Sequence, residues 1–60
     1  MIKLTEYYTG DDVWVNPLLV RMFRLNGTKD GTYIVFVTES IRESLEVKEL
    51  PEEVNRLFNL

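Results

Sequence analysis

The segment Ser44–Phe58 constrains the fold more than any other part of the chain. Ser44 to Glu49 alternates apolar and charged residues, so a strand here puts Leu45 and Val47 inward and Glu46 and Lys48 outward. Pro51 follows almost at once and suits the first position of a helix, where its missing N–H costs nothing. Glu52 and Glu53 then sit at the positive end of the helix dipole, and Val54, Leu57 and Phe58 form one apolar stripe. The position that caps this helix is Leu50, which has no side-chain acceptor, so packing must hold the helix down.

Everything before this unit reads as β structure. Ile2, Leu4, Glu6 and Tyr8 alternate with Lys3, Thr5 and Tyr7. Thr9 to Asp12 is a turn in which Gly10 is free to take positive φ. Val13 to Asn16 is a second strand, so residues 2–16 predict a β-hairpin, ended by Pro17. Leu18 to Leu25 is open to helix or strand, and its eight residues between Pro17 and Asn26-Gly27 favour strand. There Leu19, Phe23 and Leu25 oppose Val20 and Met22. Asn26 to Gly31 is a loop, Thr32 to Thr38 is the clearest strand, and Glu39 to Glu43 forms the next connection. The expected fold is a single α+β domain over residues 1–60. It is a small, twisted antiparallel sheet of about five strands, or a partly open barrel, with one short C-terminal helix.

Two arguments predict self-association. A chain of 60 residues is marginal alone and usually needs a staple. This one has no Cys for a disulfide and no Cys or His for a structural zinc, which leaves a partner subunit. The strand from Tyr33 to Val37 is also apolar on both faces: Ile34 and Phe36 on one, Tyr33, Val35 and Val37 on the other. One short helix covers only one of these, so either the sheet curls closed or a second copy, in a homodimer or higher assembly, covers the rest.

Chemistry has little to work with. Without His or Cys there is no conventional triad and no thiolate nucleophile. Asp11/Asp12 fit a turn, and Glu52/Glu53 fit a helix start. The expectation is a non-enzymatic protein with no cofactor and no metal. Its candidate binding residues are Trp14, Tyr7, Tyr8, Arg21 and Arg24. Trp14 alternates with Val13 and Val15 and so points away from their face. An exposed Trp beside Arg has the composition of a protein-binding hot spot, although Trp14 packed on its own sheet or on a dimer mate fits as well.

A nucleic-acid-binding β-module using Arg21, Arg24 and neighbouring aromatics is the alternative, since aromatics beside Arg can stack bases. Net charge argues against it. The chain carries -3, all of it in residues 39–60, where six Glu face three basic side chains. No stretch approaches the ~20 apolar residues of a membrane helix, so no membrane insertion is expected, and the N-terminus lacks the apolar core of a signal peptide. A cytoplasmic location is the expectation.

The opening Met1-Ile-Lys-Leu-Thr5, the Val15-Asn16-Pro17 step, and Leu45-Glu-Val-Lys-Glu49 followed by Pro51-Glu-Glu-Val54 resemble the FlbD-like (SwrD) family of small proteins named for flagellar operons. The resemblance spans nearly the whole chain, but its motifs are short and structural. It implies a flagellar accessory role and no catalytic residues. The chain departs from the family pattern in its longer first hairpin, in the connection Thr38 to Ser44, and in Leu50 where a capping Ser is usual. A phage-encoded accessory protein that binds a host protein fits the same features.

Overall fold

A computed structural model of the chain describes residues 1–37 and 43–60. Among these residues five antiparallel strands and one α-helix follow in chain order: β1 (Ile2–Thr5), β2 (Asp12–Val15), β3 (Val20–Leu25), β4 (Thr32–Phe36), β5 (Ser44–Val47) and α1 (Pro51–Phe58). They form a two-stranded sheet, β1-β2, and a three-stranded sheet in the order β3-β4-β5. The sheets meet where β1 runs past its end onto β5. Glu6 bridges Val47, Tyr7 N–H donates to Glu46 O (2.9 Å), and Lys48 N–H donates to Thr5 O (2.9 Å). The fold is thus a small α+β sheet structure that does not close into a barrel.

The hairpin forms around the expected turn with shifted boundaries: β1 ends at Thr5, so Tyr7 and Tyr8 fall in the turn, while Asp12 opens β2 and Asn16 lies beyond it. Ile2 pairs with Val15 and Thr5 with Asp12, and Gly10 takes φ 78° in the turn between. The core consists of Leu4, Val15, Ile34, Val47 and Val54, each at or near zero exposure. Val54 comes from α1, and Phe58 of the same helix meets Phe23 edge to face at 5.6 Å. Pro51 starts α1 after Leu50, whose side chain makes no capping bond. The helix junction is held from elsewhere. The Glu49 carboxylate accepts from Thr5 N–H and Thr5 Oγ1 (2.9 Å each), and Thr32 Oγ1 donates to Glu49 O (2.6 Å). One charged side chain so ties the β5-α1 corner to β1, which explains how the helix stays in place without a cap.

Two further expectations are corrected. Leu18 to Leu25 is not one strand: Pro17–Leu19 is a 3-10 turn, and β3 starts only at Val20. Asn16 causes this, because its side chain accepts from Leu18 N–H (3.0 Å) and its carbonyl accepts from Leu19 N–H (3.0 Å), while Pro17 supplies the fixed φ. The faces of β3 also differ from simple alternation. Val20 pairs with Phe36 but Met22 pairs with Val35, so two residues of β3 advance against one of β4. Arg21 is the extra residue of this bulge. Val20 and Phe23, expected on opposite faces, therefore both pack against the core.

The alternation of β4 is regular, with Thr32 and Ile34 buried and Tyr33 and Val35 on the other face. The connection Glu39 to Glu43 and the end of the strand at Thr38 fall on or beside residues 38–42, which lie outside the described residues. No helix among the described residues is long and apolar enough to cross a membrane.

Candidate functional site

α1 lies against the inner face of the three-stranded sheet, and the outer face carries an ordered set of side chains. Cross-strand pairing builds it in rows. Met22, Val35 and Ser44 form one row, and Arg24, Tyr33 and Glu46 form the next. Val37 continues the outward line of β4, and its N–H donates to Leu19 O (2.7 Å). Among the described residues nothing covers the apolar end: Met22 is 43% exposed and Val37 58%.

The polar row is bonded along its length. The Arg24 guanidinium carbon stands 5.5 Å from the centre of the Tyr33 ring, a cation–π contact. Glu46 Oε1 accepts from Tyr8 OH (3.0 Å), and Glu46 Oε2 accepts from Asn26 Nδ2 (2.9 Å). The hydrogen bond to Glu46, reinforced by its negative charge, raises the pKa of Tyr8, because ionising the phenol would remove the donor and oppose the carboxylate. Arg24, Tyr33 and Glu46, together with Leu25 to Gly27, line a depression of about 310 Å³ at this end of the face.

Asn26 anchors the row from below. It is almost fully buried, and its Oδ1 accepts from Asp30 N–H (3.0 Å) and Gly31 N–H (3.2 Å). Its Nδ2 also reaches Asp30 Oδ1 (3.2 Å). The loop can close this tightly because Gly31 has no side chain: a Cβ there would collide with the Val47 carbonyl and come within 3.1 Å of Tyr7. Tyr7 OH donates to the Asp30 carboxylate (2.8 Å), and Thr28 Oγ1 donates to it as well. These hydroxyls, Thr28 first and Tyr7 next, hold the Asp30 carboxyl below its usual pKa.

The five candidate residues thus separate. Tyr8 and Arg24 join the same row through Glu46 and Tyr33. Tyr7 touches Tyr8 edge to face (5.0 Å) but spends its hydroxyl on the β3–β4 loop. Arg21 is exposed in the bulge. Trp14 lies on the other sheet, paired with Lys3 and 61% exposed, which matches its expected direction away from Val15. Tyr33, Glu46 and Asn26 were not among the candidates. The outward parity of Tyr33 and Glu46 was readable in their strands, whereas Asn26 read only as a turn residue. No family model, no curated protein and no solved structure matches the chain.

Proposed function

We propose that this chain is a non-enzymatic protein-binding module that acts as a self-associated accessory component in the cytoplasm. The observation that carries the reading is the outer face of β3–β4–β5, where Met22 and Val37 flank Val35 and no other described residue covers them, while α1 occupies the inner face. A domain this small has little core to spare, and covering half-exposed apolar side chains contributes on the order of 1 kcal/mol each. Trp14, on the separate β1-β2 sheet, remains free to anchor a different protein. The FlbD-like resemblance supports a flagellar accessory role, and a phage accessory role fits the same surfaces.

The test is light scattering behind size exclusion over a dilution series. The reading expects a mass above one chain at high concentration that falls on dilution; a single 7.1 kDa species throughout would refute it.

The nucleic-acid alternative is favoured by one contact, Arg24 over Tyr33, which resembles a stacking platform. Glu46 in the same row would repel a phosphate backbone, and the net charge is -3. Binding of a single-stranded oligonucleotide that weakens steeply with added salt would favour this alternative over the protein-binding reading.

A further inference from the structure

We propose that the outer face of β3–β4–β5 is a self-complementary docking surface whose occupant is a second copy of this chain, with the two-fold axis lying between the copies and parallel to β4. The inference rests on the self-association proposed above and assigns the surface and the symmetry. Its basis is the charge order across the sheet. In the polar row, β3 contributes Arg24, the central strand contributes Tyr33, and β5 contributes Glu46. When two such faces stack about an axis running along β4, each β3 lies over the other copy's β5. Arg24 of each copy then meets Glu46 of the other, twice per dimer, and the tyrosines meet on the axis.

An axis perpendicular to the strands through this row would instead stack Arg24 on Arg24 and Glu46 on Glu46, which the charges oppose. The chosen axis also aligns Tyr33, Val35 and Val37 of the two copies along their length and sets Met22 over Ser44. It thus places the apolar line at the centre and the charges at the rim, the usual order in protein interfaces.

The size of the face bounds the strength. Three strands of about five residues span roughly 14 by 17 Å, about 240 Å² per copy in projection, well below the ~800 Å² per partner of a stable interface. The dimer is therefore weak and concentration-dependent.

Charge reversal tests the pairing. Arg24→Glu alone puts two acidic groups at each contact and should weaken self-association by roughly tenfold or more. Glu46→Lys alone puts two basic groups there and should do the same. An equimolar mixture of the two variants should form a heterodimer, because both contacts again join opposite charges.

Glu46→Lys also removes the acceptor of Tyr8 and Asn26, so far-UV circular dichroism must confirm its fold. Val35→Cys in the otherwise native chain gives an independent readout, since the chain has no other cysteine. A short bis-maleimide should couple this variant into covalent dimers, while Asn55→Cys, exposed on α1 against the opposite face of the sheet, should stay at background. If the native chain is a dimer, yet Arg24→Glu does not weaken it and Val35→Cys couples no better than Asn55→Cys, the assigned surface is wrong and self-association stands. A native chain monomeric at every concentration would overturn both.

Discussion

Replacing Asn26 with Ala should remove most of the stability of this domain. The magnitude follows from what the amide holds. Its Oδ1 accepts from two backbone N–H groups, and its Nδ2 donates to two carboxylates. Asp30 N–H and both carboxylates can turn to water after the truncation, at a cost of about 0.5 kcal/mol each. Gly31 N–H cannot, because Gly31 is buried under Tyr7 and the Val47 carbonyl. A buried donor left without a partner costs about 1–3 kcal/mol. The total is roughly 2.5–4.5 kcal/mol, against the ~3–5 kcal/mol that a single core of this size supplies. Urea unfolding followed by far-UV circular dichroism measures it, at a concentration matched to the native chain because association adds stability. A loss below about 0.5 kcal/mol would refute the claim that the Asn26 amide is the anchor of the loop. Asn26→Asp adds a control: it keeps the acceptor but sets a third carboxylate against Asp30 and Glu46, so its loss should shrink with added salt.

Further predictions concern the corner and the surface carboxylates. Glu49→Ala removes both acceptors for Thr5 and should cost about 1–2 kcal/mol in urea unfolding, less than two fully buried charged bonds because the site is only half buried. Leu50→Ser supplies the missing cap in a backbone already extended at φ -73°, ψ 159°, and should raise the urea midpoint by an amount worth about 0.5–1 kcal/mol. Acid stability depends on Glu6 and Asp30. Thr9 N–H and Oγ1 lower the pKa of Glu6, and the Thr28 and Tyr7 hydroxyls lower that of Asp30. A carboxyl whose folded-state pKa lies below its unfolded value contributes stability above the unfolded pKa and loses it as pH falls through the folded one. The urea midpoint should therefore hold down to about pH 4 and fall below it, with a shallower acid limb in Asp30→Asn.

The sequence was most legible where one periodicity met one local signal. The strand–Pro51–helix unit, the Gly10 turn of the hairpin and the alternation of β4 appear where expected, because the apolar period and the turn residue agree there, although the hairpin strands are displaced at their ends, with Tyr7 and Tyr8 in the turn and Asp12 in β2. It was less legible around Pro17. A side-chain bond from Asn16 made a 3-10 turn of residues that a length argument assigned to strand. The Arg21 bulge was hidden for a related reason: a period of two cannot reveal an extra residue, and one is enough to bring Val20 and Phe23 to the same face. The outer face was half visible. The direction of Tyr33, Val35 and Glu46 followed from their own strands, but the joining of Arg24, Tyr33 and Glu46 in one row depended on register between strands. Register depends on the bulge, and composition does not encode it.

The most direct test of the account is a two-dimensional ¹⁵N–¹H spectrum of the native chain recorded over a concentration series. The account predicts concentration-dependent shifts at Met22, Arg24, Tyr33, Val35, Val37, Ser44 and Glu46, with Trp14, Lys3 and the exposed Asn55 of α1 unmoved. Shifts confined to the β1-β2 sheet, or a spectrum independent of concentration, would contradict it.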